Sequence, residues 1–555
     1  MRNLFFLFII FSLSGRVVFS EEELNLRRIR ILSPEKFLSS EGYLPLGKLG
    51  VVLNSNFKEM SRTAVEVLIE RMKQIIREKG EVKLGLPTGN TPQLIYELLR
   101  TEYKNDPLWK KVTLVQLDEY VGADPSSSES FQYQLRENLV NHVKLKRFIS
   151  IKGNAQDKEK ERERYEKEIK SLGELDLLVL GIGRNGHLAF HEPGFLTDKL
   201  VDIVNLTPET KSDNGVEFSQ AFTLTLKTIL KAKEIILLAS GEHKRDIIEK
   251  ALLGEVSLNV PASFLQNHNR TSFLIDQGAT KEALLRVLKA KLKEAITKHL
   301  GDSSIKVFAS DLDFTLSPLG EHLRKPVIEK LKQLAKKGIH IAIITGASYS
   351  RIKEEFLDYL PQDFPWQYLH IYSNVGAGGY GFDSSGQRIT YYEVKLFPEQ
   401  WEKLREVVKE FKEEFKEDFE GFRETEEMKG TIVLKDRLRT KETYEKYLTF
   451  LEERLKNTGL IINGTGHLGT IDITYADKSY ALINLRERLD ILSENMVYVG
   501  DTFAGKFAND LPAMILGVWI FNVGSIDNLP KGIFSLGIRG DLGTEILLEV
   551  LLEKK

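Results

Sequence analysis

Leu175-Asp-Leu-Leu-Val-Leu180 runs straight into Gly181-Ile-Gly-Arg-Asn-Gly-His-Leu-Ala-Phe-His-Glu-Pro-Gly194. The first six residues are a nearly continuous apolar run, the pattern of a strand buried on both faces of a parallel sheet. A strand that empties into Gly-x-Gly and then offers His187 and Glu192 has the layout of a site at the carboxyl end of an α/β sheet. There the glycines let the backbone turn and approach a ligand closely, while a titratable pair is presented to it. Taken alone, the stretch reads more readily as a Gly-rich strand–helix turn with a surface histidine. The surrounding chain decides between the two readings.

Outward from this stretch, β and α patterns alternate. Strands are expected over 49–53, 82–86, 112–117, 232–239 and 271–276, with an amphipathic helix over 59–79 and helices over about 93–100 and 133–142. The alternation to about Leu300 predicts one doubly wound parallel sheet. Pro87-Thr-Gly-Asn-Thr-Pro92 follows a strand and opens a helix, so its backbone N–H groups and the helix dipole can cradle phosphate. It can equally be a plain turn. Asp118-Glu-Tyr120 arrives at the end of the next strand, where adjacent carboxylates can be a general base and its electrostatic neighbour or sit in a solvated turn. Ser240-Gly-Glu-His-Lys244 sets a cation at another strand's carboxyl end, and the bland alternative is a surface lysine. The mixed charges of 157–170 read as a solvated helix face.

Segment 291–304 is helical and then Gly/Ser/Asp-rich, which predicts a linker over 296–304. A second strand–loop unit starts at Val307-Phe-Ala-Ser-Asp311-Leu-Asp313-Phe-Thr315. A strand over 339–344 ends in Thr345-Gly346, and a charged amphipathic helix is expected over 402–422. Lys478 opens a helix, and a short strand over 496–499 runs into Gly500-Asp501.

Bulk properties bound the reading. A chain of 555 residues is too long for one core,. A net charge of −2 implies no polyelectrolyte partner, which disfavours nucleic acid,. With no cysteine, disulfides, thiolate metal sites and cysteine nucleophiles are excluded,. At the N-terminus, Arg2 precedes an apolar run over 4–13, and Val18-Phe-Ser20 stands before Glu21-Glu-Glu23. This predicts a signal peptide over 1–20, hence export, with no stable membrane span after its removal. The alternatives are an uncleaved anchor, or a cytoplasmic location if translation starts further on.

Pro87–Pro92, Asp118-Glu-Tyr120, Gly181–Gly194 and Gly241-Glu-His-Lys244, in this order, resemble the glucosamine-6-phosphate deaminase family over roughly residues 45–290. The related 6-phosphogluconolactonases share the glycine-His core, but Ala189-Phe-His-Glu-Pro-Gly194 and Asp118-Glu-Tyr120 look like the deaminase branch. The resemblance implies conversion of glucosamine 6-phosphate to fructose 6-phosphate with loss of ammonia, without a cofactor. It implies that Asp118 moves the proton between C2 and C1, and that His187 assists ring opening, oriented by Glu192 and Asn185. Thr88, Gly89, Asn90 and Thr91 would hold sugar and phosphate, and Lys244 would pair with the phosphate. It also implies a phosphate-clamping arginine near Lys211–Phe218, where this sequence has none, and a carboxylate in many members where Asn185 stands. The basic positions of the allosteric site in activated deaminases correspond to Asp202 and Val204, so no activation by N-acetylglucosamine 6-phosphate is expected.

The second half resembles the haloacid dehalogenase superfamily of phosphatases over about 305–550. The resemblance implies Asp311 as nucleophile, Asp313 as general acid/base, Thr345 binding the phosphoryl group and Lys478 steadying its charge. Asp311, Asp313, Asp501 and Asp510, the last in Asn509-Asp510, would surround Mg²⁺, a hard cation suited to carboxylates and phosphate. The long interval from Asp501 to Asp510 looks like the phosphomannomutase and inosine-monophosphate nucleotidase branches. An insertion between Thr345 and Lys478 matches a cap domain.

The expected architecture is therefore α/β, with two doubly wound Rossmann-like parallel-sheet domains in tandem. The first covers 45–295 and the second 305–555, with an inserted α+β cap over about 376–470. The expected function is bifunctional: an amino-sugar phosphate deaminase fused to a Mg²⁺-dependent phosphatase for a sugar phosphate or nucleotide. Partners are small sugar phosphates, and a homo-oligomer is compatible with this reading. Two alternatives for the first half stay open, a non-catalytic sugar-phosphate sensor and a 6-phosphogluconolactonase.

Overall fold

The computed structural model describes residues 29–31, 49–54, 56–318, 322–435, 441–465, 469–503, 507–524, 532–536 and 540–554. The signal peptide expected over 1–20 lies outside the described residues.

Among the described residues, the first sheet has eight strands, all paired parallel: β1 (Ile29–Ile31), β2 (Leu49–Asn54), β3 (Val82–Leu86), β4 (Val112–Gln116), then, after a three-residue β5 (Asp118–Tyr120) that lies outside this sheet, β6 (Arg147–Ile149), β7 (Leu177–Leu180), and further on β10 (Ile235–Ala239) and β11 (Thr271–Asp276). Helices on both faces bury it, so β7 and β10 are apolar and buried at every position,. Strand order is β1-β2-β11-β10-β7-β3-β4-β6. From β3 the chain winds outward through β4 to β6, whereas from β7 it winds the other way through β10 to β11. The crevice between the carboxyl ends of β3 and β7 is thus a topological switch point, where ligands of open α/β sheets bind. The loops leaving these two strands are Pro87–Pro92 and Gly181–Gly194.

Two sequence expectations needed correcting here, and one strand was not foreseen. Asp118–Tyr120, which follows β4 as expected, is itself a strand; as β5 it joins a separate antiparallel sheet with β8 (Val201–Asn205) and β9 (Gln220–Leu224). The helix expected over 133–142 is a five-residue α-helix, Phe131–Leu135, continued by a π-turn over Arg136–Val140. No helix follows β7: the stretch to Gly194 is a chain of turns held by a Leu188–His191 bridge.

The helix Glu282–Leu300 ends the first half, and within the expected linker Ile296 and Leu300 are buried. That helix packs against the C-terminal helix Gly540–Glu553, with Lys293 bridging Glu549 and Glu553 at 2.8 Å each.

The second large sheet is mixed rather than parallel throughout. Its parallel part joins β12 (Val307–Ser310), β13 (His340–Ile344) and β14 (Leu369–Ser373) with β21 (Met496–Gly500), β22 (Trp519–Asn522) and β23 (Ile533–Ser535). The antiparallel β15 (Gly378–Phe382) and β16 (Arg388–Glu393) continue it beyond β14. Between β16 and β21 lies a four-stranded antiparallel sheet of β17 (Phe419–Thr425), β18 (Lys429–Leu434), β19 (Ile461–Gly464) and β20 (Thr470–Thr474). The helices Pro398–Glu414 and Lys441–Leu455 pack with it around Leu404, Phe411, Leu451 and Ile471. The helix expected over 402–422 therefore stops at Glu414, because Phe419–Thr425 pairs with β18.

Candidate active sites

At the β3/β7 switch point the turn after β7 wraps His187 back over its own backbone. A methyl group at Gly183 would sit 2.3 Å from the imidazole, so only glycine lets the ring take this position. Gly186 (φ +90°) and Ala189 (φ +50°) both sit in the left-handed region, a strained path of the kind found at functional sites,.

His187, Asn185 and Glu192 form one network. Asn185 Oδ1 accepts from the His187 backbone N–H at 3.1 Å, and Asn185 Nδ2 donates to Glu192 Oε2 at 2.7 Å. His187 Nδ1 lies 3.7 Å from Glu192 Oε2 and 3.3 Å from Thr210 Oγ1. Glu192 is buried and also accepts from Thr207. Asparagine suits position 185 because it donates to Glu192, whereas a carboxylate there would oppose another one at contact distance. Burial pushes His187 down to about 4, so near neutral pH it is an uncharged imidazole able to accept a proton,.

Asp118 is buried on β5 directly across from Thr223 of β9. Thr223 Oγ1 accepts from Phe190 N at 3.0 Å, which ties the Gly181–Gly194 turn to the strand of Asp118. The Tyr120 and Phe190 rings, 5.1 Å apart, and those of His187 and Phe190, 6.0 Å apart, complete the link. Burial, and then the charge of Glu119, hold the Asp118 carboxyl well above its ordinary range. Glu119 itself points elsewhere. It accepts from the backbone N–H groups of Tyr120, Phe131 and Gln132 and from Ser130 Oγ and Gln116 Nε2, at 2.8–3.1 Å. It fastens β5 to the following helix.

The loop Pro87–Pro92 reaches the same crevice. Tyr96 donates to the Pro87 carbonyl and senses the Asp118 charge. Gly89 (φ +95°) faces open space, Thr88 and Thr91 are half-buried, and Asn90 is exposed. The helix Gln93–Glu102 that follows has no side-chain cap at its N-terminus. Lys244 donates from Nζ to the Ile182 carbonyl at 2.7 Å, which brings its charge to the Gly181–Gly183 turn, and burial lowers its pKa.

Sequence reasoning missed the short helix Pro208–Asn214, which lies against the network and supplies Thr210 to it. Its signal was present: Thr207 caps Thr210 N, with Pro208 at the first helical position,.

In the second half, Asp311 at the end of β12, Asp501 after β21 and Asp510 offer carboxylate oxygens all within 4.8 Å of one another. Lys478 Nζ, fully buried, lies 2.7 Å from Asp311 and 2.6 Å from Asp510. Asp510 also accepts from Tyr498 and from the N–H groups of Asp501 and Thr502. Burial, opposed by Lys478, lifts Asp311 to about 6, and Asp501 is held well above its ordinary range by burial and Asp510. Asp313, expected among the metal ligands, lies outside this cluster. Its two oxygens accept from Arg351 at 2.6 and 3.0 Å. Thr345, at the end of β13, is buried, and the neighbouring Gly346 carbonyl accepts from Lys429 of β18 at 2.5 Å. Lys429 pairs in turn with Asp472 at 3.2 Å, so the four-stranded sheet leans on this site. Sequence spacing gave no sign of Arg351 or Lys429.

Comparison with known proteins then defines the class. Residues 55–274 match the family described as glucosamine-6-phosphate isomerases/6-phosphogluconolactonase. A glucosamine-6-phosphate deaminase of Thermoanaerobacter sp. (strain X514) is 37% identical over 254 residues, covering 44% of this chain and 97% of that protein. Glucosamine-6-phosphate deaminase 1 of Giardia intestinalis is 36% identical over 225 residues, covering 39% of this chain and 85% of that protein. A solved monomeric glucosamine-6-phosphate deaminase is 34% identical, covering 41% of this chain and 98% of that one, with a TM-score of 0.39. Through its first half, the chain belongs to the glucosamine-6-phosphate isomerase/deaminase family.

Proposed function

We propose that the first half deaminates and isomerises glucosamine 6-phosphate, with water, to fructose 6-phosphate and ammonia. The observation that carries this reading is a buried Asp118 opposite Thr223, which is tied by Phe190 to the turn holding the Asn185–His187–Glu192 network. Neutral His187 takes the C1 hydroxyl proton and returns it to the ring oxygen as the ring opens. Asp118 takes the proton from C2 and delivers it to C1, while a proton passes from the amino nitrogen to O1, so that the C1 aldehyde becomes a hydroxymethyl group and C2 an imine. Water then adds to the resulting C2 imine, which expels ammonia and leaves the ketone. Thr88, Gly89, Asn90, Thr91 and Lys244 hold the sugar phosphate. Hydrolysis of 6-phosphogluconolactone, run beside ammonia release from glucosamine 6-phosphate, tests it: faster lactone hydrolysis would overturn the reading.

Two substitutions follow from the geometry. Gly183→Ala displaces the imidazole and is expected to slow ammonia release by ~10²-fold, the scale of an ångström-sized misplacement. Asn185→Asp adds an anion beside His187, which favours the imidazolium. The His187 titration, followed by NMR, is expected to move up from about 4.

For the second half, we propose a phosphatase in which Asp311 attacks phosphorus, displaces the leaving alcohol and forms an aspartyl phosphate that water then hydrolyses. Asp313 protonates the leaving oxygen and Thr345 binds the phosphoryl group. Asp311, Asp501 and Asp510 suit a hard divalent cation, and Mg²⁺ held there would neutralise phosphoryl charge,. Lys478 supplies a second positive charge. A phosphate-release screen over sugar phosphates and nucleotides identifies the substrate class. No release from any of them, with Mg²⁺ present, would overturn this assignment.

A further inference from the structure

One cation at the first site has no role in the reaction as written above. Arg184 lies in the turn between Gly183 and Asn185, and its guanidinium grips Asp213 with two hydrogen bonds, Nε–Oδ2 at 2.8 Å and a second from Nη2 to Oδ1. Asp213 sits on the helix Pro208–Asn214, one turn beyond Thr210, the residue that touches His187. Lys244 is anchored on the Ile182 carbonyl, two residues before Arg184. The electrostatic influence of Arg184, Lys244 and His187 all reaches Asp213. A carboxylate is thus held among the cations that flank the crevice, and the Arg184 side chain is 46% exposed, within reach of a ligand from solvent. No arginine occurs in Lys211–Phe218, so the helix Pro208–Asn214 contributes an acid here and the glycine turn contributes the guanidinium.

We propose that Arg184 is a substrate-phosphate ligand and that Asp213 is its internal stand-in. Phosphate displaces the Asp213 carboxylate from the guanidinium, so that Arg184 and Lys244 grip the phosphate together. A planar guanidinium binds carboxylate and phosphate with the same two-point geometry, which makes the exchange chemically symmetric. The helix Pro208–Asn214, released from Arg184, then carries Thr210 with it and couples phosphate binding to the partners of His187. This assignment deepens the deaminase reading and rests on it for the identity of the ligand.

The test is calorimetric titration of the full-length protein with inorganic phosphate and with glucosamine 6-phosphate, alongside ammonia-release kinetics. Loss of a charge-assisted two-point contact is worth roughly 10–100-fold in affinity. Arg184→Ala is expected to weaken both ligands on that scale and to raise KM more than it lowers kcat, with Arg184→Lys in between. Asp213→Asn removes the competitor and is expected to bind inorganic phosphate more tightly than wild type, an effect that vanishes in the Arg184→Ala background. A purely structural ion pair would instead lower the melting temperature in both variants and leave phosphate affinity unchanged, which overturns the proposal; so does wild type that binds no phosphate. Wild type that binds phosphate through Arg184 yet releases no ammonia would refute the deaminase reading and leave this assignment standing.

Discussion

Asp118→Asn is expected to lower ammonia release from glucosamine 6-phosphate by ~10³-fold, within the range that a positioned general base contributes. The amide keeps the shape of the side chain but cannot take the C2 proton. The fold should survive, because Asp118 is buried across from Thr223 and the change removes an ionisable group that burial already disfavours. Phosphate affinity should be unchanged, since Lys244 and the Pro87–Pro92 loop are untouched. The sign of the pH dependence follows from the same burial. Asp118 works as a base only when ionised, and its pKa is raised, so activity falls on acidification at a pH above the ordinary carboxylate range of about 4,. His187, depressed to about 4, remains neutral through that window and does not set the limb. A variant within tenfold of wild type would remove Asp118 from the chemistry.

Asp311→Asn is expected to abolish phosphate release by at least ~10³-fold while sparing ammonia release from the first half. The carboxamide cannot form an acyl phosphate. Lys478 keeps Asp510 as a partner at 2.6 Å, so the variant should fold. Lys478→Met makes the contrast: it leaves buried Asp311 and Asp510, with half-buried Asp501 beside them, without their cation. Removing one member of such a buried charge set costs about 3–5 kcal/mol, read as a lowered melting temperature that added Mg²⁺ restores. Phosphate release unaffected by Asp311→Asn would end the nucleophile assignment.

The parallel strands were legible because burial on both faces writes them as unbroken apolar runs; β7 and β10 stand out for that reason. The crevice was legible through the turn residues that leave β3 and β7. What stayed hidden was non-local. β5 is three residues long and pairs with β9, about a hundred residues later, so its sequence read only as the loop following β4. Asp118 and Glu119 looked like a pair of carboxylates at one site. Successive strand residues face opposite ways, and Glu119 went to backbone donors of the next helix. The hold of Arg351 on Asp313 and the reach of Lys429 to Gly346 likewise join segments that no spacing rule connects. In the second sheet, the hairpin β15–β16 turns a predicted parallel sheet into a mixed one.

The most direct measurement is a single incubation of the full-length protein with glucosamine 6-phosphate, with ammonia, fructose 6-phosphate and free glucosamine all quantified. The account predicts ammonia and fructose 6-phosphate formed one for one, wherever the second half has not gone on to remove the phosphate, and both lost in Asp118→Asn. Glucosamine 6-phosphate that is bound but recovered intact, or converted only to glucosamine, would contradict it.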